Sequence, residues 1–174
     1  MKALPYKIST LVYLRDRSGR LLLMERNKAP NKGLWSPIGG KLEMATGESP
    51  HEAAAREVGE EINLPVRPAD LHLFAMIAEK HYEDRCHWLM FLFDCKIPLE
   101  GLPPPIGEGR FAFFAEEEIM DLPLPETDRQ SLWKVYFNSR RDFVVLRADC
   151  HSEARFKVEV DEAMELRGHE PQNG

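Results

Sequence analysis

Between Ser49 and Pro65 the chain spells out both ends of a single helix, and no other segment restricts the fold as tightly. Ser49 is a good N-cap, Pro50 suits the first helical position, and Glu52 stands three residues after the cap to complete a capping box. Ala54, Val58 and Ile62 recur at four-residue spacing and form the apolar face. Asn63 tolerates the left-handed conformation that ends a helix, and Pro65 prevents its resumption.

The segments around this helix read as strands. Residues 7–15 and 21–26 are β-branched or apolar and flank the turn "DRSGR", which predicts a hairpin. "LHLFAMIAE" (71–79), "CHWLMFLFDCKI" (86–97), "RFAFFA" (110–115), "DFVVLRA" (142–148) and "RFKVEV" (155–160) follow. The second of these is nearly continuous in apolar residues, as in a strand buried on both faces. A short acidic helix is expected near Glu116 and a longer one over about 127–137. Strands around a few helices give a layered α/β domain, expected over residues 1–166, with 167–174 as a disordered tail.

The helix carries its acids awkwardly. In "REVGEE" (56–61), Glu57, Glu60 and Glu61 occupy an arc of about 100° on one face. Like charges so spaced destabilise a helix by roughly 0.2–0.5 kcal/mol per pair. They also lie in the last turns, where the helix dipole disfavours negative charge. A hard divalent cation reverses the sign, because it takes oxygen ligands and keeps waters that substrate phosphates can replace. Arg56 can hold a neighbouring carboxylate by a bidentate contact. By itself "REVGEE" reads first as an ordinary solvated face.

The preceding glycine turn and capped helix start change that balance. Together they resemble the signature of the Nudix hydrolase family, G-x5-E-x7-R-E-U-x-E-E-x-G-U with U a bulky aliphatic residue. The matching positions are Gly40, Glu48, Arg56-Glu57-Val58, Glu60-Glu61, Asn63 and Leu64. Two departures stand out. Seven residues rather than five separate Gly40 from Glu48, and Asn63 replaces a glycine.

The resemblance implies an α/β/α sandwich with a mixed central sheet. It also implies hydrolysis of a nucleoside diphosphate linked to a further group, with Mg2+ (or Mn2+) as the ion. Glu57, Glu60 and Glu61 would be its ligands, joined by the Gly40 carbonyl, with Glu60 or Glu61 as base and Arg56 orienting them. Glu48 would support the loop–helix junction or ligate the metal directly. Glu108, between two glycines, is either an extra ligand or base from a loop, or an exposed surface acid.

Neighbouring stretches look like the MutT-like branch, which acts on purine nucleoside triphosphates including oxidised ones such as 8-oxo-dGTP. Arg26 and Lys41 would then meet phosphates, and Trp35 or Phe113 could stack on a base. Asp128 either reads a purine edge or caps the helix starting near residue 129. An ADP-ribose or nucleotide-sugar pyrophosphatase is the alternative, and a catalytically inert nucleotide-binding module is a third reading.

A formal net charge of -6 gives no bulk attraction for nucleic acid. The first residues lack a signal peptide's apolar core, and the longest apolar run, Trp88 to Phe93, is too short to span a bilayer. Cys86, Cys95 and Cys150 are odd in number and irregularly spaced, which suits a reducing compartment. The expectation is a cytoplasmic enzyme, monomer or homodimer, with a small nucleotide as its partner.

Overall fold

The computed structural model describes residues 3–29, 31–151 and 156–166. The tail expected at 167–174 lies outside them.

Eight strands form a mixed sheet: β1 (Tyr6–Arg15), β2 (Leu21–Arg26), β3 (Trp35–Ser36), β4 (Leu71–Tyr82), β5 (Cys86–Cys95), β6 (Gly109–Phe114), β7 (Phe143–Asp149) and β8 (Lys157–Met164). They run in the order β3-β2-β1-β5-β4-β7-β8, and β6 pairs with β2. The β1–β5 and β4–β7 pairings are parallel; the rest are antiparallel.

Helix α1 (Pro50–Ile62) covers one face of the sheet. Its capping box forms as expected, and Asn63 closes it in the left-handed conformation with φ 53°. A wide π-type turn, Asp128–Leu132, leads into α2 (Trp133–Ser139) on the other face. The helix expected over about 127–137 is present as a continuous run over 126–139, with Asp128–Leu132 wound more widely.

Period-two alternation in the strands divides the core between these layers. Val12, Leu14, Leu22 and Met24 turn toward Ala54, Val58 and Ile62 of α1. Tyr13, Leu21 and Leu23 turn the other way, to Leu132, Trp133 and Tyr136. Tyr13 and Tyr136 stack at 4.4 Å, with Trp133 edge-on to Tyr13 at 5.0 Å. Each such fully buried large side chain contributes roughly 1.5–3 kcal/mol.

Three expectations change. The β1–β2 hairpin pairs only at Leu14↔Leu22 and Arg15↔Leu21; beyond Leu22 that edge of β2 pairs with β3 at Met24↔Ser36 and Glu25↔Trp35, while β6 runs along the other edge. The vacated edge of β1 is taken by residues 38–42: Val12 N donates to Ile38 O, Thr10 N to Gly40 O and Leu42 N to Ile8 O. That exchange threads the glycine turn along the centre of the sheet. Next, β5 is not buried on both faces. Leu92 and Phe93 are, but Trp88 and Met90 are half-buried and line a cleft. Finally, the last strand, expected to end at 160, continues to Met164 along the exposed edge of β7, and residue 155 of that expectation lies outside the described residues. No helix among the described residues is long and apolar enough to cross a membrane.

Candidate active site

A cavity of about 880 Å3 is lined by Gly39, Gly40, Lys41, Glu57, Glu61 and Glu108 together with residues of β4 and of the turn before α2.

Glycine is required twice in this lining. A Cβ on Gly39, whose φ is +146°, would lie 2.1 Å from the Thr10 carbonyl oxygen; one on Gly40 would lie 2.3 Å from Glu57 Oε1. The Glu57 carboxylate thus rests directly on the backbone of Gly40. Gly40→Ala is expected to push that carboxylate aside and lower kcat by roughly tenfold or more, since small misplacements of a reacting group are costly. Steady-state turnover with an unchanged melting temperature would confirm a local effect. The Gly40 carbonyl itself accepts from Thr10 N at 2.8 Å, so only its second lone pair remains for a metal.

Arg56 organises the acids. Its Nε and Nη2 donate to the two oxygens of Glu48 at 2.8 and 3.0 Å, its Nη1 to Glu57 at 2.7 Å and to Glu60 at 3.2 Å, and its Nη2 also to the Lys41 carbonyl at 3.0 Å. Glu48 further accepts from Glu43 N at 2.8 Å. With both oxygens so engaged, Glu48 braces the junction of loop and helix. Its hydrogen bonds to Arg56, above all, hold its carboxyl below the usual range. The two extra loop residues leave Glu48 in contact with Arg56. Thr46 N and Glu48 N return to the Glu43 carbonyl, and the surplus bulges into solvent with Met44 exposed.

Glu57 and Glu61 face the cavity; Glu60 does not. Its side chain is 61% exposed and turned to Arg56. Burial, then the charges of Glu57 and Glu108, push Glu61 up to about 8. Its Oε2 is buried and has no hydrogen-bond partner. Burial also raises Glu57, against the pull of Arg56. As they stand, no three His, Cys, Asp or Glu side chains among the described residues converge as a ready-made metal cage. The pattern is nevertheless that of acids short of positive charge: an orphaned buried oxygen, mutually repelling carboxylates and a backbone cradle beneath one of them. Glu57, Glu61 and Glu108 fit a hard divalent cation by donor chemistry.

The predicted substrate residues divide. Arg26 and Lys41 line the cavity, with Arg26 3.9 Å from Glu108. Trp35 does not: it is buried, packs edge-on against Phe114 at 4.9 Å and belongs to the core. Phe113 packs against the core on the α1 side. Asp128 does line the cavity, and it caps nothing, because the residue preceding the turn is Thr127 in helical conformation.

Four cavity residues were not singled out from the sequence. Trp88 and Tyr82 form an aromatic wall, their rings edge-on at 6.4 Å, and Lys7 sits 5.2 Å over the Trp88 ring. Glu79 also lines the cavity and is only 2% exposed. The available signal for Glu79 was its place in β4, where Ala75, Ile77 and Glu79 alternate onto one buried face. Gly59 lies on α1 among its acids. An added Cβ there meets nothing within 4 Å, so close packing is not its reason.

Comparison with known proteins agrees with this fold. The NUDIX domain family matches residues 5–138. The dihydroneopterin triphosphate diphosphatase of Haemophilus influenzae is 21% identical over 145 residues, which cover 77% of this chain and 89% of that protein. The structure of a mutator MutT protein from Bacillus halodurans superposes with a TM-score of 0.72 at 21% identity, covering 89% of this chain and 97% of the other. The MutT protein of Methanosarcina mazei gives a TM-score of 0.65 at 25% identity, with 78% and 96% covered.

Proposed function

This chain belongs to the Nudix family of pyrophosphohydrolases, and we propose that it cleaves the diphosphate of a purine-like nucleoside triphosphate to the monophosphate and pyrophosphate. One observation carries the reading. Acids of α1 and the glycine turn line the same cavity as the aromatic rings of Trp88 and Tyr82 and the buried Asp128. Such a lining offers metal-holding acids for a triphosphate and flat apolar surface for a planar ring system.

Glu57 and Glu61 would hold a magnesium or manganese ion, with Glu108 opposite them. When bound, such an ion neutralises the charge growing on the diphosphate and lowers the pKa of an attacking water. The chain's own part is to position and to move a proton. Arg56 fixes the Glu57 rotamer and ties the helix to the glycine turn. Arg26 and Lys41 offset phosphate charge. Glu61 is better placed than Glu60 to accept the water's proton, because it faces the cavity while Glu60 is occupied by Arg56 outside it.

The match to a dihydroneopterin triphosphate diphosphatase brings a pterin triphosphate within the same reading, since its ring is also flat and bicyclic. The test is a panel with magnesium: oxidised and ordinary purine nucleoside triphosphates, dihydroneopterin triphosphate, ADP-ribose, nucleotide sugars and dinucleoside polyphosphates. The highest kcat/KM is expected for a bicyclic-ring triphosphate. A preference for ADP-ribose or a nucleotide sugar overturns the reading, and no turnover with any of them favours an inert binding module.

A further inference from the structure

A regular strand cannot turn two residues three apart to the same side, yet Glu79 and Tyr82 of β4 both line the cavity. The register gives the reason. Glu79 pairs with Trp88 and Tyr82 with Cys86, so Lys80 and His81 on β4 face the single residue His87 on β5. That is a β-bulge, which reverses the alternation and re-aims the side chains beyond it. Within the bulge His81 takes the left-handed conformation, with φ 57°, which is uncommon for a residue with a side chain. Its N–H donates to Nδ1 of the His87 ring at 3.1 Å.

We propose that His87 is a positioning residue for substrate binding: as a neutral imidazole it holds the bulge that sets Tyr82 on the cavity wall, and its protonation releases Tyr82. The effect on binding rests on the preceding reading of the cavity as the substrate site.

A backbone N–H can only donate. Nδ1 of His87 therefore presents a lone pair, and the ring carries its one proton on Nε2. In the charged ring both nitrogens are donors, and a donor would face a donor. Histidine is the side chain whose charge ordinarily changes between pH 5 and 8. The ionisable rings packed on His87 are Tyr6 of β1, 5.1 Å between centroids, and His81 at 5.3 Å. Behind His81 stand His151, 5.2 Å from its ring, and Asp149, 3.6 Å from its Nδ1 and 2.8 Å from Lys80 Nζ. The turn adds Glu83, Asp84 and Arg85. Asp149 thus meets His81, whereas His87 meets a backbone donor. The two rings respond oppositely to acid: charge strengthens the contact of His81 with Asp149 and breaks the bond to His87. Tyr82 has a second tie, from its hydroxyl to Asn31 Oδ1 at 3.1 Å, so loss of the first weakens binding without abolishing it.

The experiment measures KM for dGTP and, by calorimetry, the Kd of a methylene-bridged GTP analogue at pH 8 and pH 5, with magnesium. Wild type is compared with His87→Asn, His87→Leu and His81→Asn. Asparagine places an Oδ1 acceptor where the imidazole has Nδ1, and it does not titrate. Between pH 8 and pH 5 the wild type is expected to lose about threefold to tenfold more affinity than His87→Asn, the worth of one hydrogen bond. At pH 8 His87→Asn should match wild type and His87→Leu should bind about threefold to tenfold more weakly. His81→Asn, which suits the left-handed backbone, should keep the wild-type pH response. Nitrogen-15 NMR of the histidine rings reads the tautomer without nucleotide. His87 should carry its proton on Nε2 at pH 8, and the ring contacts of Tyr82 with Trp88 should fade as His87 becomes charged. This arm decides where His87→Leu does not fold. If the rings respond in this way but no nucleotide binds, the substrate-site reading fails and the positioning stands. A proton on Nδ1 overturns the inference, and so do ring contacts that ignore the charge on His87. An equal pH response in wild type and His87→Asn does the same, as does a response abolished by His81→Asn.

Discussion

Glu61→Gln is expected to lower magnesium-dependent turnover by about three orders of magnitude and, in the absence of metal, to raise the melting temperature at pH 8. The two effects share one cause. Glu61 faces the cavity with a buried Oε2 that has no partner, beside the charges of Glu57 and Glu108. A glutamine of the same size removes a charge that the metal-free protein holds at a cost. It also removes the negative oxygen that a cation and a proton need. Loss of a positioned base alone is worth about 10²–10⁴ in rate.

The sign follows from linkage. The folded value, about 8, lies above the ordinary 4.5. The protonated form is therefore favoured by folding, and the stability it brings is complete below pH 4.5 and lost as pH rises through 8. Metal-free wild type should melt higher at pH 5 than at pH 8, with Glu57, Glu79 and Asp128 acting in the same direction. Glu61→Gln should flatten that slope, and added magnesium should raise wild type at pH 8 more than the variant. Scanning calorimetry at the two pH values with and without magnesium checks both statements. A variant that melts lower than wild type at pH 8 would contradict the picture of an uncompensated buried charge.

The acid face was legible in the sequence because helix geometry is periodic. Once Ser49, Pro50 and Asn63 set the ends of α1, the directions of Ala54, Val58 and Ile62 followed, and with them the opposite face carrying the acids. What periodicity does not report is which edge of that face meets the rest of the molecule. Glu60 and Glu61 are adjacent and chemically identical but stand about 100° apart around the axis, so one turns to Arg56 in solvent and the other enters the cavity. The cavity on the Glu61 side is lined by β1 and the glycine turn, whose pairing is not legible from the helix.

Long-range pairing explains the other departures as well. "DRSGR" makes its turn, with Asp16 N donating to Arg20 O at 2.9 Å, but local turn chemistry says nothing of how far two strands stay together. Here β3 takes the edge of β2 beyond Leu22, and residues 38–42 take the matching edge of β1, which brings the glycine turn to the cavity. Trp35 misled for the same reason. An aromatic residue beside a glycine turn has the composition of a stacking platform, and only the position of Phe114 shows that it belongs to the core. Trp88 lay inside a run that reads as fully buried. The cleft that half-exposes it depends on strands distant in sequence.

Arg56 should be the residue whose loss most damages stability and activity together. Arg56→Ala is expected to lower unfolding free energy by about 2–3 kcal/mol, between the small value of an exposed ion pair and the large one of a buried pair broken on one side. The guanidinium is 28% exposed, but Glu48 and Glu57 are only 10% and 13% exposed, and each is left charged and poorly solvated. The Lys41 carbonyl loses its donor as well, and with it the tie between the glycine turn and α1. Turnover should fall about a hundredfold as Glu57 is freed from its seat on Gly40. Arg56→Lys should recover little of either, because one ammonium cannot hold both oxygens of Glu48 while reaching Glu57 and Lys41. The deficit should depend on pH. The Arg56 contact holds Glu48 below its ordinary value, so the stability it supplies is present above that value and lost as pH falls through the lowered one. Urea midpoints of wild type and variant should therefore converge in acid and separate toward neutrality. A lysine variant with wild-type turnover would show that charge alone, and not the forked geometry of arginine, holds the acid face in place.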